Sequence, residues 1–264
     1  MEKLIKERKG IAIKAAQQVG EILINNFKKP IKIKSKKDKS LVTEIDLAAE
    51  RKIVELIKSK YPQDNILSEE NKFKTSDSDF RWIIDPLDGT HNYIRRIEIF
   101  GTSIALEFKG KMILGVIYLP LTKKLYLAEK SKGAYLNSRR INVSKRNLKN
   151  STMVYDSSIR YNKKPILNTL EKIVDKVFNL RMFGSSVYHL SSIAEGKIDL
   201  DIEFNDKLWD FAAGLLLVEE AGGKATDFAG KKWNSSTKGY IASNGIIHQK
   251  VLRSIRSGDD GGNG

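Results

Sequence analysis

The chain has 264 residues, of which 41% are hydrophobic, and it carries 47 lysines and arginines, 32 acidic residues and no cysteine. This apolar content is enough for a substantial core, and the lack of cysteine excludes disulfides, thiolate metal sites and a cysteine nucleophile. The net charge of +15 is compatible with nucleic acid, an anionic surface or a small anionic substrate. Because the lysines are spread along the chain, we expect a small anion rather than nucleic acid. With no apolar leader and no membrane-length apolar run, we also expect a cytoplasmic protein without a membrane partner.

The first 60 residues predict two amphipathic helices. Apolar residues recur at helical spacing over 3–27 and again over 44–59, and the sequence YPQDN ends the second helix. The lysine-rich segment between them, densest from Lys28 to Lys39, lacks a core-facing pattern. We expect an exposed mobile loop or a short hairpin there.

From Trp82 onward the pattern changes to strands. The runs TSIALEF, MILGVIYL, KLYLAEK and AYLN are separated by glycine or proline turns and predict an antiparallel meander. After about residue 145, strands and helices alternate, with helices expected over 163–178, 185–196, 209–223 and from Ile246. We therefore expect an N-terminal unit over 1–145, an α/β unit over 146–256 and a disordered tail over 257–264.

Acidic residues without an evident cationic partner lie at the ends of elements that should be buried. They are Asp46 in VTEID, Glu69 and Glu70 in LSEE, Asp85 and Asp88 in DPLDGT, and Asp210 after Trp209. A buried carboxylate must be paired or must bind a cation. A divalent ion is the simplest partner here, and all-oxygen ligation favours magnesium, manganese or calcium over zinc.

The segment DPLDGT suits a phosphate site. Pro86 fixes the backbone after Asp85, so that Asp85, the carbonyl of Leu87 and Asp88 can converge on one point. Gly89 leaves the backbone bare, which lets an anion approach the amides of Gly89 and Thr90 at the start of a helical turn. Cations held beside such an anion cradle predict phosphate chemistry.

Together, DKSLVTEID, LSEE, WIIDPLDGTHNY and WDFAAGLLLVEEAGG resemble the inositol monophosphatase family, in order, over about residues 5 to 255. This family of magnesium-dependent, lithium-sensitive-type phosphatases also includes fructose-1,6-bisphosphatases. The resemblance implies a mixed α/β fold, a five-layer α/β/α/β/α sandwich. It also implies a homodimer and two to three Mg²⁺ ions, with Mn²⁺ able to replace them.

The resemblance also implies roles for individual residues. Metal ions would be held by Glu69, Asp85, the Leu87 carbonyl, Asp88 and Asp210, with a looser third ion at Glu69 beneath the lysine-rich loop. Asp46 and Thr90, together with Glu69, would activate the nucleophilic water.

Substrate contacts are expected at several positions. The resemblance implies Asp88, Gly89, Thr90, Gly184, Ser185, Ser186 and Glu203, although Ser185 fits a plain helix cap equally well. A cluster of aromatic hydroxyls and cations could hold a second phosphate, and it consists of Tyr155, Arg160, Tyr161 and Lys207. Each of these four also fits an ordinary surface position.

The sequence therefore predicts a magnesium-dependent phosphate monoesterase acting on inositol 1-phosphate, with fructose 1,6-bisphosphate as a second or principal substrate. The short loop after Lys34, with Asp38, resembles compact members with both activities. One alternative is an adenosine 3′,5′-bisphosphate phosphatase, for which no adenine pocket is identified. The other is a non-catalytic anion- or nucleic-acid-binding protein, against which the complete set of acidic motif residues argues.

Overall fold

The computed structural model describes residues 2–35, 41–71 and 73–256. The predicted tail and the middle of the lysine-rich segment, with Asp38 and the loop expected over a third ion, lie outside these ranges. Within them, none of the helices is both long and apolar enough to cross a membrane.

The two predicted N-terminal helices are present as α1 (Glu2–Asn26) and α2 (Glu44–Lys60). They pack side by side on one face of the larger sheet, through small and branched side chains such as Ala12, Val19 and Ile53. Between them, β1 (Ile33–Ser35) pairs antiparallel with β2 (Leu41–Thr43). Within the described residues, the two strands of the expected short hairpin are thus present.

The larger sheet has seven strands that lie side by side in chain order. They are β3 (Asn65–Ser68), β4 (Phe80–Asp88), β5 (Gly101–Phe108), β6 (Lys111–Leu119), β7 (Lys124–Glu129), β8 (Gly133–Leu136) and β9 (Arg139–Ile141). From β4 to β9 the pairing is antiparallel, as the meander pattern predicts. The first pair differs, because β3 runs parallel to β4. After β3 the chain returns to the end of the sheet at which β3 begins, and β4 starts there. Such a return makes the pair parallel.

The smaller sheet has five strands in the order β11-β10-β12-β14-β13. Their bounds are β10 (Thr152–Tyr155), β11 (Asn179–Arg181), β12 (Leu200–Glu203), β13 (Lys224–Thr226) and β14 (Tyr240–Ser243). The helices of the rest of the chain are α3 (Thr90–Ile94), α4 (Lys163–Ile173), α5 (Ser186–Ala194), α6 (Leu208–Glu220) and α7 (His248–Arg256). The helix predicted over 163–178 is therefore shorter, and a 3₁₀ turn, Val174–Lys176, follows it.

The layers stack as the resemblance implies. Helices α5 and α6 pack between the two sheets, α1 and α2 cover the outer face of the larger sheet, and α4 and α7 pack together beside the smaller one. The α/β/α/β/α architecture is thus confirmed. The division at residue 145 stays a prediction, although β9 ends at Ile141 and β10 begins at Thr152.

Candidate active site

The segment DPLDGT does not leave the strand where the apolar run ends. Strand β4 continues to Asp88, and its register against β5 shifts between Asp85 and Asp88. Inside this irregularity the Leu87 amide donates to Asp85 Oδ1 at 3.0 Å, and the Thr102 hydroxyl donates to the Pro86 carbonyl at 3.0 Å. A bulge of this kind re-aims side chains at the end of a strand, and here these contacts fix the backbone around Asp85.

Asp85 lies at the centre of a group of acids from distant segments. Its side chain is 2% exposed. Burial raises the pKa of Asp85 well above its usual range, and the negative charges of Glu69, Asp88, Asp210 and Asp46 raise it further. The fold therefore brings together the acidic residues singled out from the sequence, apart from Glu70, although they span 165 positions from 46 to 210.

Asp88 is held by the first turn of α5. It accepts hydrogen bonds from the Ser185 hydroxyl, from the Ser186 amide at 3.1 Å and from the Val187 amide at 3.3 Å. Burial still raises the pKa of Asp88 to about 6. Ser185, expected either as a substrate contact or as a helix cap, is the N-cap of α5 and a partner of Asp88.

Asp46 and Thr90 form the predicted pair. The Thr90 hydroxyl lies 3.1 Å from Asp46 Oδ1 and 2.9 Å from the Leu87 carbonyl oxygen. The other carboxylate oxygen, Asp46 Oδ2, accepts the Thr43 amide at 2.8 Å and the Thr43 hydroxyl. This capping box at the start of α2 fixes the carboxylate, and burial raises its pKa.

A cavity of about 520 Å³ opens beside these acids. Its lining includes Glu69, Thr90, Arg160, Tyr161 and Gly184. The cavity thus connects the acidic centre to a guanidinium group, which suits an anionic ligand.

Of the expected substrate contacts, four line this cavity: Thr90, Arg160, Tyr161 and Gly184. Tyr155 and Lys207 are among those that do not. Tyr155 is fully buried, and its hydroxyl donates to the Ile166 carbonyl at 2.5 Å. It is a core residue of the smaller sheet, so the structure removes it from the candidate contacts. Lys207 is exposed at the start of α6, where its backbone amide donates to Asp210 Oδ2 at 2.6 Å. The backbone amide of Lys207 thus helps to orient Asp210, and the substrate contact of its side chain stays a prediction.

Sequence reasoning missed two residues that shape the site. The Asn92 side-chain amide donates to the Ile99 carbonyl at 2.9 Å and to the Phe183 carbonyl at 2.7 Å, tying α3 to the loop before α5. Asp206 accepts the Ser186 hydroxyl at 2.8 Å, and burial raises its pKa to about 7. Asn92 could have been suspected because it follows DPLDGTH directly, whereas nothing in the linear sequence points to Asp206.

The donor set fits a hard divalent cation. The four charges that act most strongly on Asp85 are all negative, and carboxylate and carbonyl oxygens are the ligands that magnesium and calcium prefer. Glu69, Asp85, Asp88, Asp210 and the Leu87 carbonyl could hold such an ion, which would also compensate their mutual repulsion.

Comparison with known proteins agrees with this fold. The fructose-1,6-bisphosphatase/inositol-1-monophosphatase of Thermotoga maritima is 34% identical over 251 residues, covering 94% of this chain and 96% of the relative. The Nus factor SuhB of Escherichia coli K12 is 35% identical over 253 residues, covering 93% and 94%. The crystal structure of the extragenic suppressor protein suhB from Bartonella henselae superposes with a TM-score of 0.92 at 33% identity, covering 96% of this chain and 99% of that one.

A sequence model of the inositol monophosphatase family matches residues 5–259, and this chain belongs to that family. Family membership and the bifunctional relative support phosphatase activity. The names of the relatives differ on what each does, so they leave the substrate of this chain open.

Proposed function

We propose that this protein is a magnesium-dependent phosphate monoesterase that hydrolyses inositol 1-phosphate and fructose 1,6-bisphosphate. The observation that carries the proposal is the hydrogen-bonded pair of Thr90 and Asp46, 3.1 Å apart, beside the acidic group around Asp85. A proton acceptor and a divalent-cation site side by side are what hydrolysis by an activated water requires.

The chain's own groups suit the proton transfer. Thr90 can accept a proton from the attacking water while it passes its own hydroxyl proton to Asp46 Oδ1. The raised pKa of Asp46 makes it a better base than an exposed carboxylate. Bound magnesium would lower the pKa of the water and neutralise charge on the phosphate ester.

Two features support the proposed substrates. Arg160 on the cavity wall offers a cation for the second phosphate of a bisphosphate. The Thermotoga maritima relative is named for both fructose-1,6-bisphosphatase and inositol-1-monophosphatase activity. An alcohol-rich substrate also suits a cavity beside so many carboxylate acceptors.

The experiment is phosphate release from inositol 1-phosphate, fructose 1,6-bisphosphate and adenosine 3′,5′-bisphosphate, each with magnesium and with chelator. Asp88→Asn should abolish release, whereas Asp79→Asn, at an exposed carboxylate paired with Lys109, should not change it. Arg160→Ala should slow fructose 1,6-bisphosphate hydrolysis at least about 10-fold more than inositol 1-phosphate hydrolysis.

Preference for the adenosine substrate would replace the proposed substrates with the adenosine alternative. Absence of release from all three would contradict the proposed function.

The second candidate is a non-catalytic role of the kind named for Nus factor SuhB. The net charge of +15 on this chain favours such a role. Nucleic-acid affinity that falls steeply with salt and survives Asp85→Asn would support it. Indifference to nucleic acid would remove it.

A further inference from the structure

A second group of polar side chains lies buried near the acidic centre, and the proposed proton transfer does not use it. His189 on α5 and Asp201 and Glu203 on β12 place their ligand atoms within 4.8 Å of one another. The three side chains are 1%, 0% and 6% exposed, respectively.

The hydrogen bonds of this group are incomplete. His189 Nδ1 and Asp201 Oδ1 are buried without a hydrogen-bond partner, and so is Nε2 on the other side of the ring. The same nitrogen, Nδ1, lies 3.5 Å from Asp201 Oδ1 and 3.3 Å from Glu203 Oε1. A single N–H could serve only one of these oxygens, whereas a cation between them would contact all three atoms.

His248 shows how the same chain satisfies a buried histidine. Its Nε2 lies 2.9 Å from the Thr226 hydroxyl and its Nδ1 lies 2.9 Å from the Ser243 hydroxyl. Burial lowers its pKa to about 4, which keeps the ring neutral. His189 has no such hydroxyl partners and faces two carboxylates instead. Burial lowers its pKa, but the charges of neighbouring acids raise it overall, so the surroundings of this ring favour a positive charge.

The spacing of the donors suits a small ion. Donor atoms that share a tetrahedral ion at about 2.1 Å lie about 3.4 Å apart, and the two distances from Nδ1 are 3.3 Å and 3.5 Å. One imidazole nitrogen with two carboxylate oxygens favours a first-row transition ion over magnesium or calcium. Three protein ligands also leave a position for water.

The surrounding charge points the same way. Asp206 lies near the group, and the Tyr240 hydroxyl lies 3.1 Å from Asp201 Oδ2 and 3.3 Å from Asp206 Oδ2. Burial and the charges of Asp206 and Asp201 raise the pKa of Glu203 well above its usual range. Three carboxylates around one imidazole leave an excess of negative charge that a divalent ion would compensate.

We propose that His189, Asp201 and Glu203 form a separate buried site for one divalent transition-metal ion, of the zinc or manganese type, distinct from the magnesium site around Asp85. The ion would bind α5 to β12 and satisfy Nδ1 and Oδ1. It would also fix Glu203 through Oε1, which leaves its second oxygen for the substrate contact expected from the sequence.

The test measures metal content. The full chain is stripped with chelator, reloaded with Zn²⁺ or Mn²⁺ in the presence of excess Mg²⁺, and gel-filtered before elemental analysis. The wild type and Asp85→Asn should each retain one equivalent of Zn²⁺ or Mn²⁺. His189→Gln and Asp201→Asn should bind it at least about 10-fold more weakly, and His248→Gln should retain it as the matched control.

Wild type that retains no transition ion, or His189→Gln that retains as much as wild type, would overturn the proposal. If His189→Gln does not fold, Asp201→Asn is nearly isosteric and gives the same answer. A Zn²⁺-dependent rise in Tm in His248→Gln, but not in Asp201→Asn, is a second readout. Because metal retention is read without substrate, failure of this site and failure of the proposed phosphatase are separate results.

Discussion

A single methyl group added at Gly89 tests whether the backbone beside Asp88 must be bare. Gly89 has φ of +80°, the left-handed region that side chains disfavour. A Cβ there would lie 2.8 Å from the Ile99 carbonyl oxygen and 3.3 Å from the Phe100 Cα atom. Both neighbours are backbone atoms, so the chain between α3 and β5 would have to shift.

The structure separates the two costs of Gly89→Ala. The left-handed conformation costs about 1–2 kcal/mol for an alanine, and relieving the backbone clash adds about 1–3 kcal/mol. Gly110 supplies the control, because it has φ of +75° and nothing within 4 Å of the added Cβ. Gly110→Ala should therefore show the first cost alone.

Urea unfolding of both variants, followed by phosphate release at saturating magnesium, measures the difference. We expect Gly89→Ala to be less stable than Gly110→Ala and to lose at least about 10-fold in kcat, since Asp88 and Thr90 flank the shifted residue. Gly110→Ala should keep its activity. Equal stability of the two variants, or normal kcat in Gly89→Ala, would refute the reasoning.

Three further predictions follow from the site. Asp46→Asn should lower kcat more than magnesium affinity, because the proposed role of Asp46 is to accept a proton through Thr90; a defect that extra magnesium repairs would contradict that role. Asn92→Ala should lower the free energy of unfolding by about 1–3 kcal/mol, measured in urea, because it leaves two carbonyls without their donor; unchanged stability would contradict this. In the presence of chelator, burial raises the pKa of Asp206 from 3.8 to about 7 in the folded chain. The folded chain therefore binds a proton that the unfolded chain releases. The contribution of Asp206 to the free energy of unfolding should therefore be present at pH 4 and fall by up to about 4 kcal/mol as pH rises to 7. Urea unfolding across this range checks it: the fall should be smaller in Asp206→Asn, while the raised pKa values of Asp85, Glu203 and Asp210 maintain the rest.

The elements with strong periodicity were predicted well from the sequence. Apolar spacing located α1 and α2, and the glycine or proline turns located the antiparallel strands. Strand β3, NILS, was not predicted because it is short and half polar. In addition, its parallel partner β4 begins 12 residues after β3 ends. Such a pairing leaves no turn signal in the sequence.

The acids of the site were predictable because each looked unpaired in its own segment, but their partners were not. The contact between Ser185 and Asp88 joins residues 97 positions apart. The sequence did not show that the Tyr155 side chain is buried. Strand β10 is an interior strand with little exposure on either face, so no alternation of polar and apolar residues indicates where its hydroxyl lies. His189 was overlooked because α5 is buried nearly all round, which hides an inward polar residue.

The hydrogen bonds from α5 to Asp88 also give this carboxylate a structural role, because they connect strand β4 of the larger sheet to a helix that packs on the smaller sheet. Loss of the Asp88 carboxylate would weaken this connection even in a protein without phosphatase activity. A descendant that exchanged catalysis for another task would still be under selection to keep the aspartate. An intact DPLDGT segment in a relative therefore indicates the same architecture. It indicates catalysis only together with the Asp46–Thr90 pair.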